Sequence, residues 1–589
     1  MSDIDYYHEN FSFNPPNEKN FFEYVFSFKV DAPKEKIFQV IADTSTINKN
    51  LNVPPRYSSE INGELVIDTS FLGIDTQWIE KPWHWEFGRY IQVERFFNKG
   101  ILSYESAVFR IIDNKPYEVQ FYYRGYFKNK FFRFLYKIIF PAFGKKMAEV
   151  IQNLCSNETL AKVDKSNLSL HTQILNTLKE TEISNELQEF LASIISSFDD
   201  DELYKLQVPE LAERFNFDQD ELLNAFLIAS KIGLYEINWD VICPHCKGKR
   251  SRSHQLADIL EEDECKPCKL KFKVDSLNKI DVNFTVNPKY REVREVSFCA
   301  AEPAKKPHIL YNDLIKPKTQ ITINNELSKK HYRLRSIGID GENIIDVSDP
   351  TNEKVEIFLS KTQLFKSAKN ATINVFNNTD KELNIIFESL EEPKYALNPL
   401  RVFNNKIFKD LYKDQKLNAG VQLSLPDQII LFSDVVDSTK FYQSAGDKEA
   451  FKQIHQHFKI MKKVIDKHQG IIIKTIGDAV MATFKNVDAA INASKEIIEE
   501  IEKDSICHLK LRFSLHAGPV IAVNHNTGID YFGNTVNLSA KLQAISNANE
   551  LALSEDIHKL MLDSKSDIHF ESRTYLGDKT GYVINLINS

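Results

Sequence analysis

Two carboxylates, each delivered by an apolar run, carry the chemistry this chain is most equipped to do. Asp434 closes the run Ile429-Ile430-Leu431-Phe432-Ser433, and Val436-Asp437-Ser438-Thr439 then turns into a helix that Asp434 is also placed to cap. Asp478 follows Gly477 between two apolar or β-branched runs, 471–476 and 479–484, which predicts a hairpin with Asp478 at its tip. Carboxylates at the ends of neighbouring strands can share a pair of Mg²⁺ or Mn²⁺ ions, because hard cations take oxygen ligands. Backbone N–H groups at the entry to a helix suit phosphate. The combination predicts phosphoryl chemistry on a nucleotide.

A second constellation is separate from the first. Cys243-Pro244-His245-Cys246 and Cys265-Lys266-Pro267-Cys268 bracket eighteen residues, 247–264. Four thiolates at this spacing form two knuckles that can close around one structural Zn²⁺. Such a site has no open position, so catalysis is not expected there. A redox Cys-x-x-Cys is the rival reading, and two copies at ribbon spacing speak against it. His245 reads as a knuckle-turn residue, not a fifth ligand. The remaining cysteines, Cys155, Cys299 and Cys507, are scattered, and the odd count argues for metal over a disulfide framework.

A third block completes the first. It runs Leu511-Arg512-Phe513-Ser514-Leu515-His516-Ala517-Gly518-Pro519, then Asp530-Tyr531-Phe532-Gly533-Asn534-Thr535-Val536-Asn537-Leu538-Ser539-Ala540-Lys541. In this order and spacing the three blocks resemble the catalytic domain of class III nucleotidyl cyclases, over about 426–589. The resemblance implies that Asp434 and Asp478 are the metal ligands, beside the carbonyl of Val435. It implies that Val436, Asp437, Ser438 and Thr439 cradle phosphates through backbone N–H groups. Asp437 falls where many relatives have Gly, so its side chain must turn outward or affinity falls.

The same resemblance makes Lys474 and Asp530 the pair that reads the base edge. A lysine donates to adenine N1 and a carboxylate accepts from the 6-amino group, so ATP is expected over GTP. Asn537 matches the residue that positions the ribose. Lys541, one helical turn on, stands where the family has an arginine at the transition-state phosphate, and an ammonium lacks the planar bidentate grip. Lys579, in Leu576-Gly577-Asp578-Lys579, is an imperfect candidate for a further phosphate contact. The family also implies a homodimer with each site shared between two chains.

The expected fold class is multidomain α+β. Its 589 residues suit about three to five domains at roughly 100–200 residues each. The net charge of −8 offers no global basic field for nucleic acid. Residues 1–20 read as a flexible leader without signal-peptide character. No run reaches the ~18 apolar residues of a membrane span. The nearest, 131–143, is broken by Arg133, Lys137 and Pro141. A cytoplasmic protein is the expectation.

Residues 21–155, strand then helix, aromatic meander and long terminal helix, resemble a START-like helix-grip domain. Trp78, Trp83 and Trp85 either line a cavity for a hydrophobic ligand or fill the core. Residues 156–240 read as helical and winged-helix-like, but Asp218-Gln219-Asp220-Glu221 opens the second helix and would repel DNA phosphate. Residues 241–275 form the zinc ribbon, 276–400 a β-sandwich, and 401–425 an amphipathic linker with Ile407, Phe408, Leu411 and Tyr412 on one side. The stretch 160–400 is similar to a middle region often found before bacterial cyclase domains, a likeness carried by Phe298-Cys299-Ala300-Ala301-Glu302-Pro303 and Tyr332-Arg333-Leu334-Arg335. The catalytic domain is expected to be a ferredoxin-like α/β unit. The leading expectation is an adenylyl cyclase regulated by its N-terminal regions. Its rivals are a catalytically silent cyclase-like module, a guanylyl cyclase and a nucleic-acid-binding regulator.

Overall fold

The computed structural model describes residues 3–587, apart from 18, 55, 62–63, 72, 114, 157–167, 294–301, 325, 338, 340, 360–361, 392–393, 413–414, 416, 419–420, 526–527, 563–568 and 576–578. The chain is mixed α+β and builds several sheets. In the N-terminal unit, strands Phe21–Val30, Tyr117–Phe127, Leu102–Ile112 and Tyr90–Lys99 pair antiparallel in that spatial order. The helix Lys130–Ser156 lies on one face, where Phe140 meets Tyr123 with ring centroids 4.3 Å apart. The aromatic side chains here pack on one another as core. The other face is covered by the first helix, Asp3–Asn10. Tyr7 is buried, stacks on Tyr122 at 4.6 Å and donates to Gln120 Oε1 at 2.8 Å. The expectation of a flexible leader is therefore corrected: the sheet has a second apolar face, and the leader's aromatics cover it.

The middle of the chain begins with helices, among them Asn185–Ser197, Val208–Phe215 and Gln219–Lys231. The strand Tyr235–Ile242 follows, paired on one side by Lys249–Ser253 and on the other by Ile280–Val286. The strand Ile280–Val286 thus belongs with the segment before it, not with a sandwich starting at 276. The later strands do form two facing sheets around Tyr332, Leu334, Ile373, Val375 and Phe387. They are not self-contained, however. Ile309–Ile315 pairs with His84–Glu86, so one of these sheets continues into the N-terminal sheet, thirteen strands in all. An edge strand with unsatisfied N–H and C=O groups needs a partner. Here the partner lies more than two hundred residues away. Among the motif residues at 298–303, 298–301 lie outside the described residues.

The C-terminal sheet runs, in spatial order, Ile471–Ile476, Ala479–Phe484, Leu423–Val435, Leu511–His525, Glu550–Ser554, Lys579–Asn585 and Glu571–Tyr575. Alternation along the central strand sorts its side chains by face. Leu431 and Val435 pack under the helices Asp447–Lys467 and Val487–Lys503. Ile430 and Phe432 point to the opposite face, which carries the helix Asn534–Leu542 and merges with the middle-region core around Trp239, Phe403 and Phe408. The linker helix Lys406–Leu411 is part of that shared core. Asp434 falls in step with Ile430 and Phe432.

Candidate active site

The carboxylate end of the sheet is made by two adjacent ladders. Ser433 pairs with Val480, and the strand from Ala479 is entered through the two-residue turn Gly477-Asp478. Gly477 has φ +63°, the sign a primed hairpin turn requires and glycine supplies without strain. Asp434 and Asp478 therefore stand at the same end of neighbouring strands. Asp434 lies across the other ladder from Arg512, which donates to its Oδ2 from Nε at 3.0 Å and a terminal nitrogen at 2.5 Å. Arg512 is the site residue that sequence reading missed, although its strand was in view. The available signal was a lone guanidinium in the otherwise uncharged run 511–519.

Asp478 Oδ2 is buried and has no hydrogen-bond partner among the described residues. An ionised oxygen without a partner is costly to bury, and a hard cation satisfies it directly. The donor set fits a divalent ion held by Asp434 and Asp478. The next residues turn into the helix Ser438–Ala445, whose first N–H groups have no intrahelical acceptor. Asp437 has φ +54°, the left-handed region, where aspartate is tolerated and glycine strain-free. Its side chain is exposed and accepts from Lys440 Nζ at 3.1 Å. The Val436 N–H donates to the Lys510 carbonyl at 2.8 Å, so this amide is already engaged in the chain.

Lys474 and Asp530 meet. Lys474 Nζ donates to Asp530 Oδ2 at 2.8 Å, and the Asp530 side chain is largely buried. The other Asp530 oxygen accepts from the Tyr531 N–H at 2.7 Å, and Lys474 lies 5.1 Å from the Phe532 ring centroid. The middle region reaches this pair. Tyr531 Oη donates to Asn404 Oδ1 at 3.1 Å, and Lys409 of the linker helix sits over the Tyr531 ring. Burial lowers the Lys409 ammonium to about 7, against an opposing pull from Asp530.

Asn537 and Lys541 share the exposed face of the helix Asn534–Leu542, while Thr535, Val536, Ser539 and Leu542 are buried. That helix is clamped to the sheet. Ser539 Oγ donates to the Ile430 carbonyl at 3.0 Å, and a Cβ on Gly518 would meet Thr535 Oγ1 at 2.8 Å. Lys579 begins the strand Lys579–Asn585 and is exposed, and 576–578 before it lie outside the described residues.

The four cysteines converge elsewhere. Their Sγ atoms all lie within 4.8 Å of one another, a donor set that fits Zn²⁺. Lys247 and Lys269, each directly after the second Cys of its pair, have φ +56° and +51°, so the two turns repeat one geometry. His245 Nε2 pairs with Glu342 at 2.8 Å, outside the thiol cluster. Arg333 donates to the Pro244 carbonyl, and the His308 ring meets the His245 carbonyl at 2.9 Å. Buried Glu388 binds Arg333 and Arg335 beneath them.

Residues 424–584 match the family described as Adenylate and Guanylate cyclase catalytic domain. Residues 168–354 match one described as Family of unknown function (DUF5939). The germination-specific adenylate cyclase of Dictyostelium discoideum is 28% identical over 163 residues, 24% of this chain and 18% of that protein. Adenylate cyclase 2 of Rhizobium meliloti (strain 1021) is 30% identical over 136 residues, 20% of this chain and 37% of that protein. Guanylate cyclase 2G of Rattus norvegicus is 28% identical over 149 residues, 23% and 14% of the two chains. The chain thus spans well under half the length of these curated relatives. Among solved structures, the catalytic core of a rhodopsin-guanylyl cyclase in complex with ATPalphaS is 20% identical, over 28% of this chain and 97% of that one, with a TM-score of 0.26. A bacterial light-regulated adenylyl cyclase is 25% identical, over 27% and 91%, with a TM-score of 0.24. Residues 424–584 are an adenylate and guanylate cyclase catalytic domain within a longer chain.

Proposed function

We propose that this domain converts ATP to 3′,5′-cyclic AMP and pyrophosphate, working as a homodimer whose two sites are each shared between chains. The observation that carries the base preference is the Lys474–Asp530 pair, a donor and an acceptor held side by side at 2.8 Å. Adenine offers N1 as acceptor and its 6-amino group as donor, which complements that edge. Guanine offers N1–H and O6, the reverse. In the reaction the ribose 3′-oxygen forms a bond to the α-phosphorus as the bond to pyrophosphate breaks, and the hydroxyl proton leaves with solvent. Asp434 and Asp478 would hold two Mg²⁺ or Mn²⁺ ions, which acidify the hydroxyl and neutralise charge on the phosphates when bound. Asn537 orients the ribose, Lys541 meets the α-phosphate as a point charge, and the first turn from Asp437 to Thr439 offers N–H groups to the phosphates.

The four-thiolate cluster takes one structural Zn²⁺ in this reading, and the regions before 424 regulate the domain. The contact of Asn404 and Lys409 with Tyr531 supports a route from the middle region to the base-reading pair. A START-like role for the N-terminal unit, with a hydrophobic ligand, has less support because its aromatic residues pack as core. The experiment is to incubate the purified chain with Mn²⁺ and either ATP or GTP, and to assay both cyclic products. Cyclic AMP in excess is expected. Cyclic GMP in excess would overturn the base assignment, and no product from either would make the domain a silent module.

A further inference from the structure

Among the described residues, one side of the helix Lys130–Ser156 has no packing partner. Phe131 and Phe134 are each 63% exposed, Ile138 is 60% and Ile139 53%, with Leu135 beside them. They recur at i, i+3, i+4, i+7 and i+8, a single helical face. The opposite face, including Phe140, Gly144, Met147 and Ile151, is already buried in the N-terminal unit. Packing among the described residues therefore does not account for the outer stripe. Contiguous apolar surface of this kind marks an interaction site.

The charge along the stripe is basic, and the helix's one acidic residue, Glu149, follows beyond it. From Lys128 to Ala148 the chain carries Lys128, Lys130, Arg133, Lys137, Lys145 and Lys146 and no acidic residue. That is six positive charges in a protein of net charge −8. Lys130 and Lys137 are exposed along the stripe, and Lys145 and Lys146 are exposed at its far end. Like charge disfavours a second copy on this face.

We propose that this helix face docks the protein on an anionic phospholipid surface, lying in the plane of the interface. The phenylalanine and isoleucine side chains enter the boundary between headgroups and acyl chains, and the lysine stems extend their ammonium groups to lipid phosphates. Among the described residues no helix is long and apolar enough to cross a membrane, so this contact lies on the bilayer.

The test uses the full chain and co-sedimentation with vesicles of phosphatidylcholine mixed with phosphatidylglycerol, or of phosphatidylcholine alone. Binding is expected to the mixed vesicles and to weaken as salt rises. Phe134→Glu/Ile138→Glu should abolish it. Lys130→Ala/Lys137→Ala should lower it about thirtyfold at low salt, at roughly a tenfold loss per 1.4 kcal/mol and about 1 kcal/mol per surface lysine. All four positions are exposed, so both variants should keep the native melting temperature. The proposal is overturned if the native chain ignores mixed vesicles, binds neutral ones equally, or binds as well in both variants. It is also overturned if the stripe instead supports a concentration-dependent dimer that Phe134→Glu/Ile138→Glu abolishes.

Discussion

Arg512 stands directly across the ladder from Asp434 and grips one of its two carboxylate oxygens with both Nε and a terminal nitrogen. Seventy-eight residues separate the two in sequence. The guanidinium fixes the rotamer of Asp434 and leaves Oδ1 as the oxygen not engaged by Arg512. On Asp478 the buried Oδ2 has no partner among the described residues. The two carboxylates are thus prepared unequally, one braced by a cation of the chain and one not.

That difference predicts separate outcomes. Asp434→Asn and Asp478→Asn should each lower cyclase activity by at least about a hundredfold, the scale on which a transition-state charge contact acts. Without divalent ions, Asp478→Asn should be as stable as the native chain or more so, because the half-buried carboxylate has a buried oxygen, Oδ2, with no partner among the described residues. The native chain should melt higher when Mn²⁺ is added, through linkage, and Asp478→Asn should not. A variant that still gains stability from Mn²⁺ would remove Asp478 from the metal site.

Lys541→Arg should raise turnover about fivefold, the worth of one extra hydrogen bond of ~1 kcal/mol to a phosphate oxygen. The guanidinium bridges two oxygens where the ammonium meets them as a point. A slower Lys541→Arg enzyme, at unchanged melting temperature, would mean that the surrounding site is fitted to lysine.

Mixing two inactive proteins tests the shared site. Asp434→Ala lacks a metal ligand, and Lys474→Ala/Asn537→Ala lacks base and ribose contacts. In a twofold dimer the mixed species carries both lesions in one site and none in the other. With free exchange about half the dimers are mixed, giving roughly a quarter of native activity. No recovery, once subunit exchange is demonstrated by labelled chains, would place each site within a single chain.

Metal analysis of the native protein should find about one zinc per chain, and Cys243→Ser should lose it along with the docking of the first knuckle onto Arg333 and His308. Limited proteolysis should then open the middle region. A native protein free of zinc at full stability would sink this reading.

His457 is fully buried, neither ring nitrogen has a partner among the described residues, and burial lowers it to about 4. Its folded value lies below the unfolded ~6.5, so the unfolded chain binds more protons between the two. Stability is therefore lost as pH falls through that window, by about 2 kcal/mol between pH 7 and 5 from this group. His308, also lowered to about 4, acts in the same direction. His457→Leu should flatten the urea midpoint across this range without abolishing the slope, and an unchanged slope would show that His457 is solvated.

The sequence alone determined what depends on neighbours in the chain. The Gly477-Asp478 turn was legible because a two-residue hairpin needs glycine at positive φ between apolar runs. The convergence of Cys243, Cys246, Cys265 and Cys268 followed from the short spacing within each pair. Asn537 and Lys541 had to share a helical face because they are one turn apart. Tertiary structure decided what depends on register between distant strands, which periodicity does not encode. It set Arg512 opposite Asp434, brought Tyr311 to Glu86 and joined two expected domains in one sheet. It placed Tyr7 on Tyr122 and Lys409 over Tyr531. It also separated the two sides of the helix Lys130–Ser156, whose apolar residues all read alike in sequence. Only packing shows that Phe140 is covered while Phe134 faces outward.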